Sequence, residues 1–115
     1  MAAEQVILIT GCSSGIGRAT AVKAAARGHR VFASARNPVD LADLEGSGRL
    51  SALRLDVTDP DSIHAAVEAV QARAGRIDAL VNNAGYGQYG AVEEITPAEW
   101  RAQFDAGLAW AFRVI

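Results

Sequence analysis

Three glycines at a fixed spacing carry the first hint of chemistry. They lie in Thr10-Gly11-Cys12-Ser13-Ser14-Gly15-Ile16-Gly17, directly after the apolar run Val6-Ile7-Leu8-Ile9. The pattern is G-x3-G-x-G. Glycines at such positions let the backbone turn tightly and come close to a diphosphate. The helix after them offers N–H groups with no intrahelical partner and about half a unit of positive charge. A glycine-rich strand-to-helix turn is common by itself, and a plain turn is the competing reading. Set between a buried strand and a helix, the spacing points to phosphate binding. The candidate loop is Gly11, Cys12, Ser13, Ser14, Gly15, Ile16 and Gly17.

Such a loop needs a framework, and the rest of the chain reads as one. Short apolar runs at Val6 to Ile9, Val31 to Ala35, Leu50 to Val57 and Ile77 to Val81 alternate with helical segments at Ile16 to Arg27, Asp61 to Ala74 and from Pro97 onward. The runs lack a long in-out alternation, as expected of strands covered on both faces. Ile63, Ala66, Val67 and Val70 form an inward stripe, and a weaker helical stretch lies between Val39 and Glu45. Gly28 and Gly75 are placed to end helices in the left-handed conformation. Asp59-Pro60 reads as N-cap and first helical residue, and Thr96-Pro97-Ala98-Glu99 as a capping box. Alternating strand and helix predicts an α/β fold: a Rossmann-like, doubly wound parallel sheet of order 3-2-1-4, with ligands at the switch point between the first and fourth strands. Such a sheet ordinarily continues, so residues 1–115 are expected to be one dinucleotide-binding domain truncated before its later strands.

Composition narrows the function classes. Of 115 residues, 50% are hydrophobic and 21% charged, which fits a globular chain with one core. Eleven basic and thirteen acidic side chains leave a net charge of −2. That gives no electrostatic footprint for nucleic acid or an anionic membrane. The sequence shows neither a signal-peptide core nor a membrane span. A single cysteine, Cys12, cannot form an internal disulfide, so a cytoplasmic setting is expected.

Three motifs together make the chain resemble the short-chain dehydrogenase/reductase family: Val6 to Gly17 with its T-G-x3-G-x-G core, Asp56-Val57, and Asn82-Asn83-Ala84-Gly85. The likeness covers nearly the whole chain, in the family's order and at about its spacing. It implies a nicotinamide dinucleotide as partner, with Asp56 holding the adenine amine and Val57 making a backbone contact. Asn83, Ala84 and Gly85 would brace the sheet and let the backbone pass close to the ribose. Asp56 could also be a simple strand-end or turn residue, and Asn and Gly are generic turn formers. The Gly-Cys-Ser-Ser-Gly-Ile-Gly version, with Phe32 to Asn37 downstream, is most similar to members acting on steroid-like, retinoid-like or other hydrophobic alcohols and ketones.

The end of the second strand bears on the choice of cofactor. Dinucleotide folds place an acid there for the ribose hydroxyls of NAD, or an Arg for the 2′-phosphate of NADP. Here Ser34-Ala35-Arg36 has no acid until Asp40. Arg36 can form charge-assisted hydrogen bonds to a phosphate, which predicts NADP in preference to NAD. Arg36 could also be a solvated strand-end charge, and Arg18 could help with the phosphate or lie on the surface.

No catalytic residue is assigned within the 115. The resemblance implies a Tyr acid/base aided by a Lys four residues on and by a Ser. The one lysine, Lys23, precedes both tyrosines, Tyr86 and Tyr89. Gly107 stands where such relatives usually carry an Asn, and Trp110 where a small residue is common. His29 and His64 have no ligand-spaced partners. Tyr86, Gln88 and Tyr89 would touch substrate or pack a loop, while Trp100, Phe104 and Phe112 suit a core or subunit interface. The expected activity is NADP-dependent hydride transfer to or from a secondary alcohol or ketone, represented here by its cofactor-binding half, and the full-length form is expected to be a homo-oligomer. The alternatives are a truncated or redox-inactive NADP-binding protein, and a Rossmann-like module for another ligand.

Overall fold

Val6–Ile9 forms β1 and is buried along its whole length. The computed structural model describes residues 3–46, 48–85 and 91–105. After β1 come α1 (Gly15–Ala26), β2 (Arg30–Ala35), a 3₁₀ turn (Pro38–Leu41), β3 (Leu50–Arg54), α2 (Pro60–Ala74), β4 (Ala79–Val81), a second 3₁₀ turn (Val92–Glu94) and α3 (Pro97–Phe104). The strands make one parallel sheet in the order β3-β2-β1-β4. Ile7 lies beside Val31 on one side and Ala79 on the other. The chain thus winds outward from β1 to β2 and β3, then crosses back to β4. That reversal leaves a crevice beyond the carboxyl ends of β1 and β4.

Side-chain alternation along the strands splits the core in two. Ile7, Ile9, Val31, Ala33 and Ala35 pack with Ala21 of α1 and with Leu41 and Leu44 beyond β2. Val6, Leu8 and Phe32 point to the other face and meet Ile63, Ala66 and Val70 of α2. Val67, the remaining residue of the stripe predicted on α2, is partly buried. Phe32 and Leu8 are wholly buried, and burying side chains of this size stabilises the fold by about 1.5–3 kcal/mol each.

The helix ends obey their local chemistry. Asp59 accepts from the Asp61 amide, and Thr96 and Glu99 complete the capping box. Gly75, at φ +76°, closes α2 with its N–H donating to the Gln71 carbonyl, and Gly28 takes φ +93° after α1. The third strand stops earlier than the apolar run to Val57. Leu55 still donates to the Ala35 carbonyl, but the Asp56 amide turns to the Ser62 hydroxyl and leaves the ladder. The fourth begins late because the Asp78 carboxylate accepts from the Val6 amide, at 2.7 Å, where a strand carbonyl would otherwise sit. The stretch from Val39 to Glu45 is a single 3₁₀ turn leading into hydrogen-bonded turns, held by the buried Leu41 and Leu44. Among the described residues no helix is long and apolar enough to cross a membrane, and no cluster of His, Cys, Asp or Glu could hold a metal.

Candidate cofactor-binding site

At the carboxyl ends of the strands lies a cleft of about 850 Å³. The glycine loop forms one wall through Gly11, Ser13, Ser14, Gly15 and Ile16, and Arg36 stands at the end of β2. Asp56, Val57 and Thr58 contribute a second wall, Asn83, Ala84 and Gly85 a third. Ala102 and Asp105 on the α3 side complete the rim. Eleven of the thirteen residues singled out from the sequence therefore share one cavity. The other two, Cys12 and Gly17, lie behind it.

Gly17 explains the loop's tightness. A Cβ there would sit 2.4 Å from both the Gly11 carbonyl oxygen and the Asn83 Nδ2. Gly11, at φ +70°, passes so close to β4's exit that a Cβ would lie 2.7 Å from the Ala84 Cα. Asn83 Nδ2 donates to the Gly11 carbonyl at 3.1 Å. The Thr10 hydroxyl accepts from the amides of Asn83 and Ala84, both at 3.0 Å. Thr10 is wholly buried and is the knot that joins the exits of β1 and β4.

Cys12 is also wholly buried, and its amide donates to the Ser34 carbonyl at 2.9 Å. Burial pushes its thiol pKa up, outweighing the Ser34 hydrogen bond and the charge of Arg18. The helix N-terminus next to it does not make a reactive thiolate.

The mouth of α1 differs from those of α2, α3 and the first 3₁₀ turn. Ser14 is the N-cap residue but makes no side-chain cap bond, and no acid lies in the first turn. Asn37, Asp59 and Thr96 cap their own turns with side-chain oxygens. Ser13, Ser14, Gly15 and Ile16 are exposed, and a Cβ on Gly15 would meet nothing within 4 Å. An anion would find unpaired N–H groups and open space at this point.

On the opposite wall, Thr58 donates both its amide, at 3.0 Å, and its hydroxyl, at 2.7 Å, to Asp56 Oδ1. Partial burial opposes the charged form of Asp56. The two Thr58 bonds and the charges of Arg36 and Arg54 outweigh it and hold the carboxyl below its ordinary range. Arg36 is exposed and makes no ion pair among the described residues. Arg18 pairs with Asp43 instead of facing the cleft.

The roles of Thr10 as a tie, of Thr58 and of Ser62 emerge only from the folded geometry. A Thr two residues after Asp56 is an Asx-turn signal that could have found Thr58. Nothing marked Ser62, whose hydroxyl also accepts from Arg54. Tyr86, Gln88, Tyr89, Gly107, Trp110 and Phe112 lie outside the described residues.

The family model for short chain dehydrogenase matches residues 5–115. The chain belongs to that family. A 3-ketodihydrosphingosine reductase of Bacteroides thetaiotaomicron is 42% identical to this short chain dehydrogenase over 101 residues, covering 88% of the chain and 36% of that protein. The crystal structure of a 3-ketoacyl-(acyl-carrier-protein) reductase from Brucella melitensis complexed with NADH superposes with a TM-score of 0.90 at 30% identity, over 96% of this chain and 46% of that one. A metagenomic short-chain oxidoreductase in complex with NADP gives a TM-score of 0.88 at 36% identity, over 96% and 52%. Short chain dehydrogenases are oxidoreductases that bind nicotinamide dinucleotides, and the solved relatives include complexes of both kinds. The chain spans less than half the length of the curated relatives it matches.

Proposed function

We propose that residues 1–115 form the dinucleotide-binding domain of an NADP-preferring short-chain oxidoreductase. The full-length protein moves a hydride between nicotinamide C4 and a secondary alcohol or ketone. The observation that carries the reading is the cleft itself, where an uncapped helix mouth, an exposed Arg at the end of β2 and a charged Asp56 face one cavity.

The residues fit the cofactor. The first-turn amides of α1 hold the diphosphate, aided by the close packing that Gly11 and Gly17 permit. The Arg36 guanidinium donates to the 2′-phosphate, and no acid follows it in the sequence until Asp40. Asp56 Oδ1 already accepts two bonds from Thr58. Oδ2 makes none among the described residues and is the acceptor for the adenine amine. Asn83, Ala84 and Gly85 lay the β4 exit along the ribose. The bound nicotinamide supplies or receives the hydride. The proton for the substrate oxygen is assigned to no residue among these 115, where no Tyr has a Lys four residues on. The proposed setting is the cytoplasm. A homo-oligomeric full-length form is proposed too, supported by the exposed, stacked rings of Trp100 and Phe104 on α3.

Fluorescence titration with NADPH and NADH tests the cofactor reading. NADPH is expected to bind about ten- to a hundredfold more tightly, the span of one or two hydrogen bonds to a charged group. Arg36→Asp is expected to abolish or invert that preference. Equal affinity in the wild type, or an unchanged ratio in Arg36→Asp, would overturn it. The lack of a Tyr–Lys pair in these residues favours, as a second reading, a redox-inactive NADP-binding protein. NADPH oxidation by the full-length protein over a panel of carbonyl compounds separates the two.

A further inference from the structure

Arg36 is the first residue past β2, and the segment leading away from it determines where it points. The chain leaves the sheet at Ala35, and the Asn37 side chain caps the 3₁₀ turn by accepting from the Val39 amide at 3.2 Å. Leu41 is wholly buried and Leu44 nearly so, which pins the far end of the segment to the core. Between those anchors and α1 runs one further tie. The Arg18 guanidinium pairs with the Asp43 carboxylate and donates through its second nitrogen to the Asp40 carbonyl at 3.4 Å.

The placement of this tie matters. Arg18 belongs to the first turn of α1, next to Gly17, at the uncapped helix mouth. The segment it grips begins at Arg36. The Arg18 side chain is 27% exposed and that of Asp43 is 66% exposed, so water partly screens the pair.

We propose that Arg18 and Asp43 form a clasp that holds Arg36 at a fixed distance from the diphosphate cradle, making both positioning residues for cofactor selectivity. This rests on the reading of Arg36 as the 2′-phosphate ligand. The diphosphate and the 2′-phosphate belong to one molecule, so they reward a protein that fixes both of its own contacts in advance. A loosened clasp leaves the cradle intact and costs only the contact made at Arg36. NADH, which lacks the 2′-phosphate, does not sense it.

The test is a double-mutant cycle with both cofactors on the full chain: Arg18→Ala, Asp43→Ala and the two combined. Each single change is expected to weaken NADPH about two- to fivefold, the span of a partly exposed ion pair. NADH affinity is expected to stay within about twofold, and the double variant should be no worse than either single one. If Asp43→Ala tightens NADPH while Arg18→Ala weakens it, Arg18 is a direct phosphate ligand and the clasp is wrong. Unchanged NADPH affinity, or equal loss of both cofactors, also overturns it, the latter showing that the pair only supports the fold. Asp43→Asn, which keeps size and shape, gives a second route to the same comparison. Arg36→Asp in the same titration separates the two claims. A normal NADPH preference there defeats the cofactor reading, whereas a lost preference beside silent clasp variants defeats the clasp alone.

Discussion

Gly17 and Gly15 are both needed, for different physical reasons. At Gly17 the backbone is ordinary, but a methyl group would drive into the Gly11 carbonyl and the Asn83 amide. At Gly15 there is room, but φ is +63°. Overpacking against backbone costs about 1–3 kcal/mol, whereas a left-handed Ala costs about 1–2 kcal/mol. Gly17→Ala is therefore expected to lose more stability than Gly15→Ala in urea unfolding, and to widen the loop as well. Equal losses would mean that α1 shifts easily away from Asn83. The glycine spacing was legible in the sequence because it reflects a backbone requirement that no other residue meets. Thr58 and Ser62 were not so marked, since a hydroxyl's role depends on which amide the fold brings to it.

Among the elements, β1 and β4 depend on a side chain at their exits as well as on their ladder. Thr10→Val would leave the amides of Asn83 and Ala84 without their acceptor while preserving shape. A buried unsatisfied donor costs about 1–3 kcal/mol, so a destabilisation of about 2–4 kcal/mol is expected by urea melts, with Thr10→Ser close to wild type. A loss below about 0.5 kcal/mol would show that Asn83 and Ala84 find other partners. The order of strands and helices was readable from apolar runs and caps such as Asp59 and Thr96. The ends of β3 and β4 were not. Both involve side chains that capture a backbone amide, Ser62 beyond the apolar run of β3 and Asp78 within that of β4. The weak helical stretch read from Val39 to Glu45 is a 3₁₀ turn from Pro38 to Leu41, whose position the buried Leu41 and Leu44 fix.

For the molecule as a whole, acid response depends on two carboxylates that sit on the seams of the sheet. The Val6 amide and Arg76 hold Asp78 below the ordinary range, and Thr58 with the nearby arginines does the same for Asp56. A group with a lowered folded pKa adds stability above its unfolded value, about 3.9 for Asp. That contribution disappears as pH falls from about 4 through the folded value. Melting temperature is expected to drop along that limb, and less steeply in Asp78→Asn and Asp56→Asn than in the wild type. Parallel limbs in all three would mean that other carboxylates govern the acid limit. The two apolar layers share only the sheet between them, with Phe32 in one and Val31 in the other.

The burial of Cys12 has a consequence for how the loop ages. Its sulfur is sealed beneath the loop and its proton is held more firmly than in an ordinary thiol. Peroxide and electrophiles attack thiolates that they can reach. The glycine loop folded over this cysteine is thus protected from oxidative damage by its own packing.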